Sequence, residues 1–546
     1  MKKIFDQIVK LIELAENSSI SFLSWITSFF SLVLIRILIE SWIDGFANKS
    51  ASYVFYNITN TFVFFLLSYF IFLAFLNKFL KVSIKKLSSL MLWGYVIIIF
   101  PPIIDHIIFG DSRYLNFYGI YGLREMLDRF ITFFGDSPDF GVTYGTRIEI
   151  ALVILAISIY SYIKTREITK TLLASLFSYI ILFVLATFPS WLTIIGRGLG
   201  KGFLNVTDLD IVRVFITPTR IFSKEIGDIA NTLSIKLSLI YSLLILIFLI
   251  FGFWKKYKNK FLVFGKNIRP VQIVYHLGLF FIGIGLGYKF TGTSLDITIF
   301  NLLSLVNLSV AVIFSWITSV IINDIADKKI DLISNKDRPL VSGEFSKGEY
   351  FKIGVTLFVS AIVFAALVSA KIAMFLIVYQ ALAWVYSHKP FRLKRIPLVA
   401  TFISALASLL VLFSGFMLID PNSSIVDFPV SIIWLLLISF TLSLTVKDLK
   451  DIEGDKRDSV WTIPVLFGEY WGKIIIGTGI FVSYILSVLI LREFALTFWA
   501  CLLGSLSFWV VNISGRSSKI SHRNVLWWIM GIVFVYIVIL IKFIFI

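Results

Sequence analysis

One cysteine, four histidines and a charged fraction of 15% across 546 residues leave little room for most soluble chemistry. The lone Cys501 sits inside an apolar run, which excludes a disulfide framework and a cysteine-rich zinc site. His106, His276, His388 and His522 share no ligand spacing, so a histidine-based zinc centre is excluded as well. His276 falls within an apolar run and reads as a core hydrogen-bonding residue rather than a ligand. Fixed-period repeats and low-complexity tracts are absent. The N-terminus, Met1-Lys2-Lys3-Ile4-Phe5-Asp6, lacks a cleavable signal pattern, so the first apolar run, from about Ser21, is expected to act as an uncleaved insertion signal.

What the chain has in quantity is apolar surface: 58% hydrophobic residues and a mean hydropathy of +0.91. Its apolar runs are long enough to cross roughly 30 Å of hydrocarbon as helix. Backbone exposed to lipid must satisfy its own hydrogen bonds, as helix or as closed barrel. Alternating ten-residue strands are missing, so helices remain. Fifteen spans are predicted, at roughly 20–43, 59–80, 87–109, 148–163, 170–195, 234–254, 271–290, 297–322, 348–369, 372–387, 397–418, 429–447, 468–491, 493–513 and 524–546. The fold class is an all-α polytopic membrane protein.

A basic segment, Lys255, Lys256, Lys258, Lys260, Lys266 and Arg269-Pro270, separates six spans from nine. It divides the chain into a six-span membrane domain at 1–254, a basic cytoplasmic linker at 255–269 and a nine-span domain at 270–546. An ordinary loop within one bundle is the alternative. The net charge of +17 falls in short loops, which points to topology and anionic lipid rather than to nucleic acid. In the nine-span block, loops after even spans carry Lys328, Lys329, Lys336 and Arg338; Lys389, Arg392, Lys394 and Arg395; Lys447, Lys450, Lys456 and Arg457; and Arg516, Lys519 and Arg523. Loops after odd spans carry only Lys289, Lys371 and Arg492. This bias places the basic face in the cytoplasm of a multi-pass cell-membrane protein.

Two longer segments fall on the opposite side. One, about 110–147, holds Tyr114, Tyr118, Tyr121 and an amphipathic stretch, Leu123 to Phe134, expected to lie on the membrane surface. The other opens with Gly196-Arg197-Gly198-Leu199-Gly200-Lys201-Gly202. It lacks phosphate-loop spacing and a preceding strand, so a flexible or re-entrant connector is expected.

Two aspartate-rich strings sit at the basic ends of long spans. The first is Asn323-Asp324-Ile-Ala-Asp327-Lys-Lys-Ile-Asp331, followed by Asn335 and Arg338-Pro339-Leu340-Val341-Ser342-Gly343; the second is Asp448-Leu-Lys-Asp451-Ile-Glu453-Gly454-Asp455. A carboxylate at a helix centre in lipid costs roughly 2.5–3.5 kcal/mol, so two clusters ask for a counter-charge. Asn323, Asp327 and Asp331 stand at i, i+4 and i+8, turning about 40° per step along one helix face. Asp451 and Asp455 repeat the i, i+4 step, and Asp448 adds i−3. A solvated helix end of mixed charge explains one such string; two of similar form on one face point to a ligand site. Hard oxygen donors select Mg²⁺, which is commonly completed by substrate phosphates. A lipid diphosphate suits both the charged rim and the apolar bundle.

A third segment, Tyr386-Ser387-His388-Lys389-Pro390-Phe391-Arg392-Leu393-Lys394-Arg395, closes another span. Lys389 and Arg392 read as topology signals, whereas Lys394 and Arg395 abut the next span and are placed to reach phosphate oxygens. Arg338, in an Arg-Pro turn, is a further phosphate candidate.

These motifs resemble the UbiA superfamily of intramembrane prenyltransferases, over about 267–546. The resemblance rests on Asn-Asp-x-x-Asp-x-x-x-Asp with its Arg-Pro-Leu-x-Ser-Gly, on Lys-Asp-x-x-Asp-x-Glu-Gly-Asp-Lys followed by Thr462, Pro464-Val465 and Gly468, and on the Tyr386-to-Lys394 segment. It implies a nine-helix UbiA-like bundle. Mg²⁺ would bridge Asn323, Asp327 and Asp331 on one side and Asp451 and Asp455 on the other, with Asp448 beside them, to hold a polyprenyl diphosphate. Arg338, Lys394 and Lys447 would neutralise diphosphate, and Tyr386 would stabilise the allylic cation or position a hydrophobic or aromatic acceptor. Asp327, Asp451, Tyr386 and Lys394 are the catalytic candidates. The Glu453-Gly454-Asp455 form is most like the branches that prenylate glycerol-phosphate lipids, homogentisate-type rings or chlorophyllide; Arg457-Asp458-Ser459 departs from the family pattern. Residues 1–254 resemble no such motif.

Other readings stay open at this stage. A non-catalytic isoprenoid-lipid binding or transport protein accommodates the unexplained first block. A CDP-alcohol phosphotransferase would carry Asp-Gly-x-x-Ala-Arg, which is absent. A soluble prenyl diphosphate synthase is incompatible with fifteen spans.

Overall fold

The computed structural model describes residues 2–43, 51–110, 119–136, 142–221, 224–226, 229–292, 298–419, 425–457, 460–515, 520–522 and 524–545. Tyr114, Tyr118, Asp458, Ser459, Arg516, Lys519 and Arg523 lie outside the described residues. Apart from a two-stranded ribbon, Thr219–Ile221 with Lys224–Ile226, the regular elements are helical. Among the described residues, fifteen helices are long and apolar enough to cross a membrane, from Phe22–Ile43 to Val525–Phe543. The all-α polytopic reading holds, and the protein is an integral multi-pass membrane protein.

Two helices differ from the expectation. The run anticipated at 170–195 breaks: one helix, Ile168–Ala186, stops at Thr187, and a second, Phe188–Lys201, starts with Pro189 in its first turn. Proline removes a donor and fixes φ, which suits a helix start and not an interior. The glycine-rich run is therefore helix as far as Lys201, not a flexible connector. Gly198 is needed there, because an added Cβ would run into the Phe203 ring.

The chain divides into two compact units. The first comprises Met1–Arg220 and Glu225–Leu249. Its spans carry buried polar groups: Arg36 pairs with Glu40 at 3.0 Å, approaches Glu149 at 3.8 Å and donates to the Ile98 carbonyl at 2.6 Å. The N-terminal helix Lys2–Asn17 is held by Glu16, which accepts from Tyr160 at 2.7 Å and pairs with Lys164. Within the 110–147 segment, the helix Leu123–Ile131 buries Met126 and leaves Leu127 and Ile131 open.

The second unit comprises Ile250–Ile546 with Ile221–Lys224. The Pro270–Thr291 helix packs along Val399–Ile419; Ile299–Ala326 packs on Lys347–Val368 and Ala370–Ser387; Ile463–Leu491 packs on Val430–Ser443 and Thr497–Ile513. The first contact is backbone to backbone. A Cβ at Gly283 would strike the Leu412 carbonyl, and one at Gly415 the Phe280 carbonyl. Small residues permit such approach where lipid supplies no hydrophobic drive between helices. Residues 258–267, expected as linker, form a helix whose Phe264 joins Ile268, Ile317, Leu340, Phe345 and Tyr350 in one apolar cluster.

Candidate functional site

Both acidic strings interrupt their helices at an aspartate. The Ile299–Ala326 helix ends at Asp327 (φ −100°, ψ 11°), and a short helix, Lys328–Ser334, follows. The backbone ladder nevertheless continues: Asp327 N–H donates to the Asn323 carbonyl at 2.8 Å and Asp331 N–H to the Asp327 carbonyl at 3.0 Å. The i, i+4, i+8 stacking thus survives the break. In the second string a tighter 3-10 turn, Leu444–Lys450, ends at Asp451 (φ −112°, ψ 11°), and Ile452–Arg457 follows. In 3-10 geometry residues three apart eclipse, which lines Asp448 up with Asp451. The two short helices, Lys328–Ser334 and Ile452–Arg457, pack against each other and bring the strings together.

Cations thread the acids. Lys394 Nζ contacts Asp327 Oδ1, and Arg392 Nη2 lies 3.4 Å from the same oxygen. Arg338 Nη1 reaches Asp331 Oδ2 at 2.5 Å and Asp324 Oδ1 at 2.8 Å. Lys447 Nζ donates to the Tyr386 hydroxyl at 3.2 Å and to Ser404 Oγ at 3.4 Å. Asn323 Oδ1 accepts from Ser387 Oγ at 3.4 Å, which ties the first string to the end of the Ala370–Ser387 helix. Lys450 stands 3.8 Å from Asp451. Arg395 makes no ion pair among the described residues, and its Nε is buried without an acceptor.

Charge in this rim is unevenly compensated. Burial pushes the Asp331 carboxyl up to about 6, with Asp324 and Asp327 adding to the push and Arg338 opposing it. Burial pushes Asp455 further, to about 8, and Asp448 and Asp451 reinforce it. Burial disfavours the Arg338 charge, but Asp324 and Asp331 outweigh it and raise its pKa, with Asp451 and Asp327 contributing. Asp455 has no ion pair among the described residues; Lys394 offsets its neighbours' repulsion only in part, and a proton or an added cation relieves the rest. Among the described residues no three Asp, Glu, His or Cys side chains close on a common metal position.

Two features escaped sequence reasoning. Asp324, only 1% exposed, accepts from Arg269 at 3.1 Å, Arg338 at 2.8 Å, Asn267 at 2.6 Å and Tyr350 at 3.0 Å. Arg338 belongs to the string's own Arg-Pro turn, but Arg269 and Asn267 come from the segment read as a linker and Tyr350 from the following span, so no local pattern announces the full set. Arg392, read as a topology signal, sits on Asp327. His276, by contrast, is the core hydrogen-bonding residue its place in an apolar run suggested: it is buried, Nδ1–H donates to the Gln272 carbonyl at 2.6 Å, and Nε2 accepts from the Tyr379 hydroxyl at 3.0 Å.

The model of the UbiA prenyltransferase family matches residues 279–530, which include both strings and the Tyr386 segment. Residues 1–278 lie outside the match. Among curated relatives, digeranylgeranylglyceryl phosphate synthase of Sulfolobus acidocaldarius is 33% identical over 168 residues, 30% of this chain and 58% of that protein. The namesake of Methanospirillum hungatei is 33% identical over 155 residues, 27% of this chain and 51% of that protein. The chain thus spans just over half the length of these UbiA relatives. A solved UbiA homologue from Archaeoglobus fulgidus, bound to DMAPP and Mg²⁺, covers 50% of this chain and 96% of its own, at 18% identity and TM-score 0.40.

Proposed function

We propose that this protein transfers a polyprenyl group from a polyprenyl diphosphate to a glycerol-phosphate lipid, within the membrane, with release of diphosphate. The observation that carries the reading is the packing of Lys328–Ser334 against Ile452–Arg457, which faces two carboxylate strings across a rim threaded by Lys394, Arg338 and Lys447. The family match over residues 279–530 and the relatives' shared name support it.

A divalent cation fits the donor set. The acids are hard oxygen donors, and the raised Asp455 and Asp331 mark where positive charge is short. Asn323, Asp327 and Asp331 would hold Mg²⁺ on one side and Asp448, Asp451 and Asp455 on the other. Bound there, the metal would offset charge on the leaving diphosphate.

The chain's own residues supply the rest. Lys394, Arg338 and Lys447 bind diphosphate oxygens as their negative charge grows, an interaction stronger in the transition state than in the ground state. The C1–O bond breaks, the electron pair leaves with diphosphate, and the allylic carbon becomes cationic. Tyr386, anchored through its hydroxyl by Lys447, lines the place where that cation forms. Apolar helices keep out water, which would capture the cation. An acceptor hydroxyl oxygen attacks C1, and its proton passes to the released diphosphate. The charge bias of the loops puts this rim on the cytoplasmic side of a cell membrane.

The test uses the purified chain in lipid nanodiscs with Mg²⁺, labelled geranylgeranyl diphosphate, and a panel of glycerol-phosphate and aromatic acceptors. Labelled ether lipid is the expected product. Asp327→Ala and Asp455→Ala should each lower turnover by about a hundredfold or more. Movement of labelled lipid with no product from any acceptor would sink the proposal in favour of a transport role.

A further inference from the structure

The rim cations have an instructive division of labour. Arg269 and Arg338 pair with Asp324, Arg338 also with Asp331, Arg392 and Lys394 with Asp327, and Lys447 with the Tyr386 hydroxyl, all within the diphosphate rim. Arg395, next to Lys394, has no carboxylate among the described residues, and its Nε is buried with no acceptor. Thr462 is 6% exposed, and its Oγ1 is likewise buried without a partner. Thr462 caps a helix start yet makes no side-chain cap bond, so its hydroxyl is not used locally. The two residues are neighbours, since Trp461 N–H donates to the Arg395 carbonyl at 3.2 Å. The same loop returns to the acidic rim through Val460 N–H on the Asp455 carbonyl, at 2.9 Å.

An unmatched buried donor costs free energy, and such groups in native structures commonly mark a ligand. A guanidinium and a hydroxyl carried on adjoining backbone suit an oxyanion, and phosphate above all. Exposed apolar residues follow each of the two along the chain: Ile396 and Leu398 after Arg395, and Leu466 and Phe467 after Thr462. That is the surrounding of a phosphate carried on a hydrocarbon tail rather than of a free ion. A reaction between a prenyl diphosphate and a phosphate-bearing lipid requires two anion sites, and the acidic strings account for one.

We propose that Arg395 and Thr462 form the subsite for the acceptor's phosphate, separate from the diphosphate site. This rests on the prenyltransferase reading above and replaces the expectation that Arg395 binds diphosphate. The pair therefore sets specificity for a phosphomonoester lipid as acceptor.

The experiment measures KM for donor and acceptor separately in the full-length protein, with a prenylated glycerol phosphate and the same lipid lacking phosphate. Arg395→Gln and Thr462→Val are compared with wild type, with Thr462→Ser as the conservative control. Acceptor KM should rise roughly ten- to a hundredfold in Arg395→Gln and less in Thr462→Val, with donor KM and metal-dependent donor binding unchanged. The preference for the phosphorylated acceptor should fall by the same factor, and Thr462→Ser should restore it. A rise in donor KM instead, or an equal loss on both acceptors, overturns the assignment. Transfer to aromatic acceptors alone also overturns it, together with the glycerol-phosphate acceptor, while leaving prenyl transfer itself standing. No transfer to any acceptor removes both.

Discussion

Asp324 and Asp327 stand three residues apart and keep different company. Asp324 is enclosed by two arginines, an asparagine and a tyrosine, so it works as a structural hub. Removing one member of a buried ionic network typically costs about 3–5 kcal/mol. Asp324→Ala should therefore lower the thermal midpoint far more than Asp327→Ala, and the comparison by thermal unfolding in detergent checks it. Asp455 makes a different prediction. Its folded pKa of about 8, like that of Asp331 at about 6, lies above the ordinary carboxylate range. The folded protein then holds protons that the unfolded chain releases. Stability is present in acid and is lost as pH rises toward 8. A bound divalent cation needs the ionised carboxylates, so it opposes that loss. In EDTA the midpoint should fall between pH 5 and pH 8; the Mg²⁺-induced rise should grow over the same window; and Asp455→Asn should flatten both trends. A pH-independent Mg²⁺ shift contradicts this. At this scale the spacing of Asp327, Asp331, Asp451 and Asp455 was legible because helix periodicity is local. The hub was not, because Arg269 and Asp324 are 55 residues apart in sequence.

Among elements, hydropathy alone located the spans, since lipid demands long apolar helices whatever their packing. It did not show the breaks at Thr187, Asp327 and Asp451, which depend on proline and on backbone dihedrals rather than on apolar length. Nor did it show that 258–267 packs into the site's own unit; six cations within and around that segment masked the apolar face that Phe264 carries. The closest helix contact rests on Gly283 and Gly415. Gly283→Val should push Pro270–Thr291 away from Val399–Ile419 and lower the thermal midpoint, whereas Gly278→Val, where an added Cβ meets nothing within 4 Å, should leave it nearly unchanged. Equal effects would mean that this contact is not tight.

Across the whole molecule, the strings, the Tyr386 segment and the Arg395–Thr462 pair all lie in the second unit. The first unit holds none of them, and its own buried charges, Arg36, Glu40 and Glu149, are internal to it. We propose that residues 1–254 form an accessory membrane domain that delivers lipid or mediates assembly. Deleting them should leave metal-dependent diphosphate binding in place and slow transfer to acceptor supplied from the bilayer. Unchanged turnover and lipid access would remove the role. The central claim is that the two strings together hold a prenyl diphosphate through a divalent metal. Its most direct measurement is equilibrium binding of a non-reactive thiolo analogue of geranylgeranyl diphosphate to the full-length protein, with Mg²⁺ or with EDTA. Binding should require Mg²⁺ and be lost in Asp327→Ala and in Asp455→Ala alike. Binding that persists in EDTA, or that survives loss of either string, would contradict the claim.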